Sequence, residues 1–119
     1  MNLLSLWRRM EPRPLGKWLF SRAVCAKAPY FATIRPRFEV LEPGRAVVSM
    51  KKRRAVENHI GTVHAIACCN LAEIAAGTMM EASLPKSMRW LPRGMQVEYR
   101  KKAETDLSAH AATADYAEG

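Results

Sequence analysis

Residues 58–73 read Asn58-His59-Ile60-Gly61-Thr62-Val63-His64-Ala65-Ile66-Ala67-Cys68-Cys69-Asn70-Leu71-Ala72-Glu73. Glu73 is the one charged residue between Val63 and Met80. That pattern predicts a helix over 61–81. A helix that is apolar nearly all round is expected to be buried nearly all round. Alanines at 65, 67, 72, 75 and 76 would let a sheet or a partner helix approach closely. Gly61 permits a tight entry, and Pro85 marks the exit.

On both sides of this helix the period changes from helical to alternating. Upstream, Phe38 and Val40 alternate with Arg37 and Glu39, and Ala46, Val48 and Met50 with Arg45, Val47 and Ser49. Glu42-Pro43-Gly44 lies between them. Proline fixes φ near −65° and glycine supplies a positive φ, so a β-hairpin is expected, with strands at 36–42 and 45–53. Downstream, Met95, Val97 and Tyr99 oppose Gln96, Glu98 and Arg100. This predicts a strand over 87–102, broken at Pro92-Arg93-Gly94. A further strand is expected at 105–114 with Leu107, Ala109 and Ala111 inward. Ahead of the hairpin, Leu15, Trp18, Leu19, Arg22 and Ala23 follow helical spacing behind Pro12, Pro14 and Gly16. Residues 3–28 therefore read as a short helix plus one of three turns, packed on the domain or a partner; Trp and Arg also suit a membrane surface. The order helix, strand, strand, buried helix, strand, strand predicts an α+β fold. An N-terminal helical segment (1–30) precedes the main domain (31–119).

The 119 residues allow one domain and exclude the larger barrel and dinucleotide-binding enzymes. No run approaches the roughly 20 apolar residues of a membrane span. Residues 1–102 hold all 19 basic and seven acidic residues, a net of +12, while 103–119 carry −4. Such a body attracts anions: phosphorylated small molecules, nucleic acid or an acidic surface. The Lys51-Lys52-Arg53-Arg54 run lacks the interleaved aromatics of a nucleic-acid site and reads first as a solvated strand end. Cys25, Cys68 and Cys69 make no disulfide framework, which fits a reducing, cytoplasmic setting. His59, His64 and Cys68 lack the paired spacing of metal ligands, so no metal is expected; nor is a cofactor.

The chemistry sits at the start of the long helix. Its first backbone N–H groups have no internal acceptor, and the dipole there favours negative charge. His64 and Ala65 occupy that first turn, where an oxygen gaining negative charge would be held. Asn58 and His64 flank the spot. Burial would disfavour the ionised form of Glu73 and suit it to act as a base or nucleophile. Nine residues separate His64 from Glu73. That is about 900° of rotation and about 13.5 Å of rise, so the two lie on opposite sides of the helix. Acting on one atom would require two subunits, each supplying one of them.

Asn58, Gly61, His64 and Glu73 match in type and spacing the pattern of the hot-dog fold acyl-CoA thioesterases. The sequence resembles the phenylacetate-degradation type and an uncharacterised branch related to it. Looser similarity runs from Phe20 onward through Leu41-Glu42-Pro43-Gly44 and Met95-Gln96-Val97-Glu98-Tyr99. The resemblance implies an antiparallel sheet wrapped around one long central helix, here preceded by an N-terminal helix. It also implies hydrolysis of acyl-CoA or related thioesters at a dimer-interface site, in a homodimer or homotetramer. Glu73 would be the nucleophile or the base activating water. The Ala65 backbone N–H would polarise the carbonyl, with Asn58 and His64 orienting the region. Gly61 would shape the loop at the substrate, and Arg53, Arg54 and Arg100, with Lys101 and Lys102, would meet its phosphates. The family's His-Gly-Gly reads His64-Ala65-Ile66 here, which keeps the backbone N–H groups and adds side chains beside them.

Two rival readings remain: a non-catalytic hot-dog protein that binds acyl thioesters or serves as an assembly module, and a basic nucleic-acid binder. Met79, Met80, Met88 and Met95 are expected to pack the core or to line an acyl pocket. Set against the family's usual domain, the chain is expected to lack the last strands.

Overall fold

The computed structural model describes residues 3–84, 97 and 103–112. The strand expected over 87–102 lies outside these apart from Val97, as do Met88, Met95 and Arg100.

The hairpin forms around Glu42-Pro43-Gly44. β1 spans Arg37–Glu42 and β2 spans Arg45–Met50, joined where Gly44 takes φ 81°. They pair antiparallel from Glu42↔Arg45 to Arg37↔Ser49, with a register shift between Phe38 and Val40 that leaves Glu39 as a bulge. β3, Leu107–Ala112, adds antiparallel to the other edge of β2, from Met50↔Leu107 to Arg45↔Ala112. The sheet order is β1-β2-β3. Within β3, Leu107, Ala109 and Ala111 are the half-buried positions and their neighbours are exposed, as the alternation predicted.

Three α-helices complete the described chain: α1 at Leu3–Met10, α2 at Gly16–Lys27 and α3 at Ala65–Ser83. Short 3-10 turns at Pro29–Ile34 and Arg54–Val56 link α2 to β1 and β2 to the loop before α3. α3 packs across the sheet, touching all three of the described strands. It runs antiparallel to β2: His64 N–H donates to the Val56 carbonyl at its start, and near its end Ser83 Oγ accepts from Gly44 N–H at 2.8 Å. The core between helix and sheet is built from Leu71, Ile74, Ala75 and Met79 against Phe38, Leu41, Ala46, Val48 and Met50.

α3 is not buried all round. Ala67, Leu71, Ile74, Ala75, Thr78, Met79 and Ala82 form one buried stripe, while Ile66, Ala72, Glu73 and Ala76 are exposed. Uniform apolarity told how much of the helix could be buried, not which side one chain covers. The face expected for α2 is also reversed. Leu15, Trp18 and Leu19 are 74%, 54% and 47% exposed, and the inward face is Phe20, Ser21, Val24 and Cys25. Phe20 decides this. It stands edge-on to Trp7 and to Phe38, with centroids 5.1 Å away in both cases, and bridges α1 to the sheet. Ser21 adds a polar tie, because its Oγ accepts the Phe38 N–H at 2.9 Å and its hydroxyl donates to the Lys17 carbonyl at 2.8 Å.

Candidate functional site

The loop before α3 is organised by Asn58. Its Oδ1 accepts the N–H groups of Ile60 at 3.0 Å and Thr62 at 3.1 Å, and its Nδ2 donates to Thr62 Oγ1 at 2.7 Å. The Asn58 backbone adds a bond to the Thr62 carbonyl and accepts from Gly61 N–H. Gly61 sits at φ 82°, a conformation that a Cβ would strain even though nothing crowds the space. Asn58 thus spends its side chain within the loop and acts on its surroundings by positioning them. A bridge between Glu57 and Val63 closes the loop, and Val63 N–H reaches the Ala103 carbonyl at 2.8 Å.

The loop delivers His64 as the N-cap of α3, so the helix begins at Ala65 and not at Gly61. His64 Nδ1 accepts the Ile66 N–H at 3.1 Å, which leaves Nε2 as the protonated nitrogen in this geometry. The His64 carbonyl accepts from Cys68 N–H. The Ala65 N–H has no acceptor among the described residues. A free donor therefore stands at the positive end of a 19-residue helix.

Glu73 lies two turns further along, exposed and with no ion pair among the described residues. The burial expected for it is not found within one chain. His64 and Glu73 are not brought together: they keep the opposite-sided placement that nine helical residues dictate. Cys68, half-buried between them, has its thiol pushed up from the ordinary value by burial and then by the neighbouring Cys69. Among the described residues no three His, Cys, Asp or Glu side chains gather as metal ligands would. No helix among them is long and apolar enough to cross a membrane.

Of the arginines expected to meet phosphates, Arg54 is exposed on the turn after β2. Arg53 lines a basin of about 440 Å³ at the same end of the sheet as the start of α3. Of its companions, Lys51 belongs to the basic run read as a solvated strand end, whereas nothing in the sequence joins Arg22, Arg35 and Arg37 to it. The four companions come from α2, from both ends of the hairpin and from the turn before it, so no local run of residues marks them as one group.

A family model described as a domain of unknown function (DUF4442) matches residues 16–118. The crystal structure of a genomics protein is 47% identical, with a TM-score of 0.85, over 98% of this chain and 79% of that one. A Pseudomonas aeruginosa protein of unknown function, described as a probable thioesterase, is 29% identical with a TM-score of 0.68, over 75% of this chain and 60% of its own. A thioesterase family protein from Silicibacter pomeroyi, 23% identical, shares the fold with a TM-score of 0.72 over 82% of this chain and 72% of that one. No functionally curated protein matches.

Proposed function

Because the chain belongs to the DUF4442 family and has the hot-dog fold of proteins described as thioesterases, we propose that it hydrolyses acyl-CoA or related acyl thioesters. The observation that carries this is the Ala65 N–H at the head of α3, which has no acceptor among the described residues, with the exposed carboxylate of Glu73 about 12 Å further along the same helix. The Ala65 N–H and the helix dipole stabilise negative charge on the thioester oxygen. Glu73 of a second copy takes a proton from water as the water oxygen attacks the carbonyl carbon. The C–S bond then breaks, and the thiol leaves with a proton returned by the carboxylic acid. His64, held by its own cap bond, and Asn58, through the 58–62 loop, fix the position of the Ala65 donor.

Two copies are needed because about 12 Å of helix separates the two groups, too far for both to act on one atom. The exposed stripe of Ile66, Glu73 and Ala76 suits a second helix, being apolar and small apart from the carboxylate. A homodimer is the minimum assembly, and a homotetramer keeps the same pairing. Arg53 and Arg54, with Arg100, supply positive charge for the substrate's phosphates.

One observation favours a non-catalytic binder: Ile66 presents an exposed side chain where the resembled pattern has glycine. Hydrolysis assayed over an acyl-CoA panel separates the two. The hydrolase reading expects turnover by the native chain and about a hundredfold loss or more in Glu73→Ala, with the circular dichroism spectrum unchanged. Equal rates in the two proteins would remove Glu73 from the chemistry. Thioester binding without turnover would select the binder. A purely monomeric sedimentation profile would count against the shared site.

A further inference from the structure

The basin between α2 and the end of the sheet has no role in the hydrolysis just described beyond the general charge of Arg53. It draws Arg22 from α2, Arg35 and Arg37 from the entry to β1, Lys51 and Arg53 from the exit of β2, and Trp18 from the exposed face of α2. Two carboxylates also line it, and both are engaged. Glu39 Oε2 accepts from Ser49 Oγ at 2.8 Å and lies 3.5 Å from Arg37 Nε, while Asp106 Oδ1 accepts the Lys52 N–H at 2.7 Å. Arg22, Arg35, Lys51 and Arg53 therefore have no carboxylate partner among the described residues. Arg53 donates from one Nη to the Thr33 carbonyl, but its Nε is buried without a hydrogen-bond partner among the described residues. Burial, and then the charge of nearby Arg35, pull the Arg53 guanidinium below its ordinary value.

Like charges gathered in a concave site, one with a buried unsatisfied N–H, are relieved by an anion that accepts from several of them at once. Guanidinium groups favour phosphoryl oxygens, which accept two parallel N–H bonds. The half-exposed Trp18 adds an aromatic surface that inorganic phosphate would not use but a base would. We infer that this basin binds a nucleoside diphosphate group, its phosphates on the Arg22, Arg35, Lys51 and Arg53 charges and its base against Trp18. The group is either a free nucleotide or the head of a larger molecule. The inference shares Arg53 with the hydrolase reading but does not rest on it, since it uses neither Glu73 nor a second copy.

The test titrates the full chain with ADP, coenzyme A, inorganic pyrophosphate and sulfate at low ionic strength, by tryptophan fluorescence and calorimetry. ADP is expected to bind saturably, with sulfate at least about tenfold weaker and ADP affinity falling as salt is raised. Arg22→Glu and Lys51→Glu, both at exposed positions, are each expected to weaken ADP about tenfold with an unchanged circular dichroism spectrum. Trp18→Leu should remove the preference for ADP over pyrophosphate and leave pyrophosphate binding intact. Competition between coenzyme A and ADP would assign the basin to the head of a thioester substrate. ADP binding without that competition would assign it to a free nucleotide. Sulfate binding as tightly as ADP, or both charge reversals leaving ADP affinity unchanged, would overturn the inference. Because binding is read without turnover, its failure is distinguishable from failure of the hydrolase reading.

Discussion

Gly16 opens α2 where the chain doubles back from α1, and it is buried. A Cβ placed there would lie 1.6 Å from the Met10 carbonyl oxygen and 2.6 Å from its carbon. Reaching even 3.0 Å, below which real Cβ contacts essentially never fall, requires a displacement of roughly 1.4 Å, and the atom in the way is backbone. Moving α1 aside withdraws Trp7 from Phe20, since those rings meet edge to face at 5.1 Å. Overpacking of this kind costs about 1–3 kcal/mol. Complete release of α1 would approach the ~3–5 kcal/mol of deleting a buried tryptophan. Against this, alanine is worth about 1 kcal/mol over glycine within a helix. With α1 released, Gly16→Ala is therefore expected to destabilise by about 2–4 kcal/mol, the ~3–5 of the lost packing less the ~1 of helix propensity, a fall in Tm of about 8–16 °C for a chain of this size. Urea melts of Gly16→Ala, Trp7→Ala and the double variant measure it. If the alanine works by lifting α1, the two costs overlap and the double variant loses less than their sum. An unchanged or raised Gly16→Ala midpoint would refute the packing account, because helix propensity alone predicts stabilisation.

Other perturbations follow from named bonds. Asn58→Ala removes three side-chain hydrogen bonds from the 58–62 loop and is expected to cost about 1–3 kcal/mol; Asn58→Asp keeps both acceptor bonds and should cost less, as paired denaturant melts would read. Ser21→Ala leaves the buried Phe38 N–H without its acceptor and should cost about 1–3 kcal/mol; Ser21→Thr, which keeps the hydroxyl, is the comparison, and equal midpoints for serine and alanine would dismiss the tie between α2 and β1. Burial raises the Cys25 thiol, opposed by the charge of Arg22. A raised value leaves less thiolate at neutral pH, so alkylation of Cys25, followed by mass spectrometry, should rise with pH along a curve displaced upward from that of free cysteine; a curve at or below the free thiol's would contradict the burial.

The turn of the hairpin was readable because Pro43 and Gly44 carry it, but alternation misplaced part of β1: the bulge at Glu39 shifts the register, so Leu41 and not Val40 is buried along with Phe38. β3 was readable because its alternation runs unbroken. α2 was not, since two stripes half a turn apart are equally apolar. Leu15, Trp18, Leu19 and Ala23 follow helical spacing as well as Phe20, Val24 and Cys25 do. The choice is made by Phe38, which is distant in sequence and presents the ring against which Phe20 packs. At the site, spacing located the His64 cap, the Ala65 donor and the opposite-sided Glu73, because helix geometry is regular. It overstated the burial of Glu73, because apolarity on every side of a helix does not reveal which neighbour is missing. The basin escaped notice because its cations run from residue 22 to residue 53 and only folding assembles them.

The place of β2 at the centre of the sheet carries a kinetic consequence. One of its edges is satisfied by a strand two turn residues away, the other by a strand whose first partner, Leu107, stands 57 positions beyond Met50. Closing the longer loop costs about 2.6 kcal/mol more than closing the short one. The hairpin can therefore form early and locally, while β3 must wait for α3 to bring the distant segment round. Until it arrives, the second edge of β2 is an open template for any other extended chain. Native-state hydrogen exchange tests the matching difference in local stability: β3 amides should open at lower free energy than those pairing β1 with β2, and the reverse would contradict it.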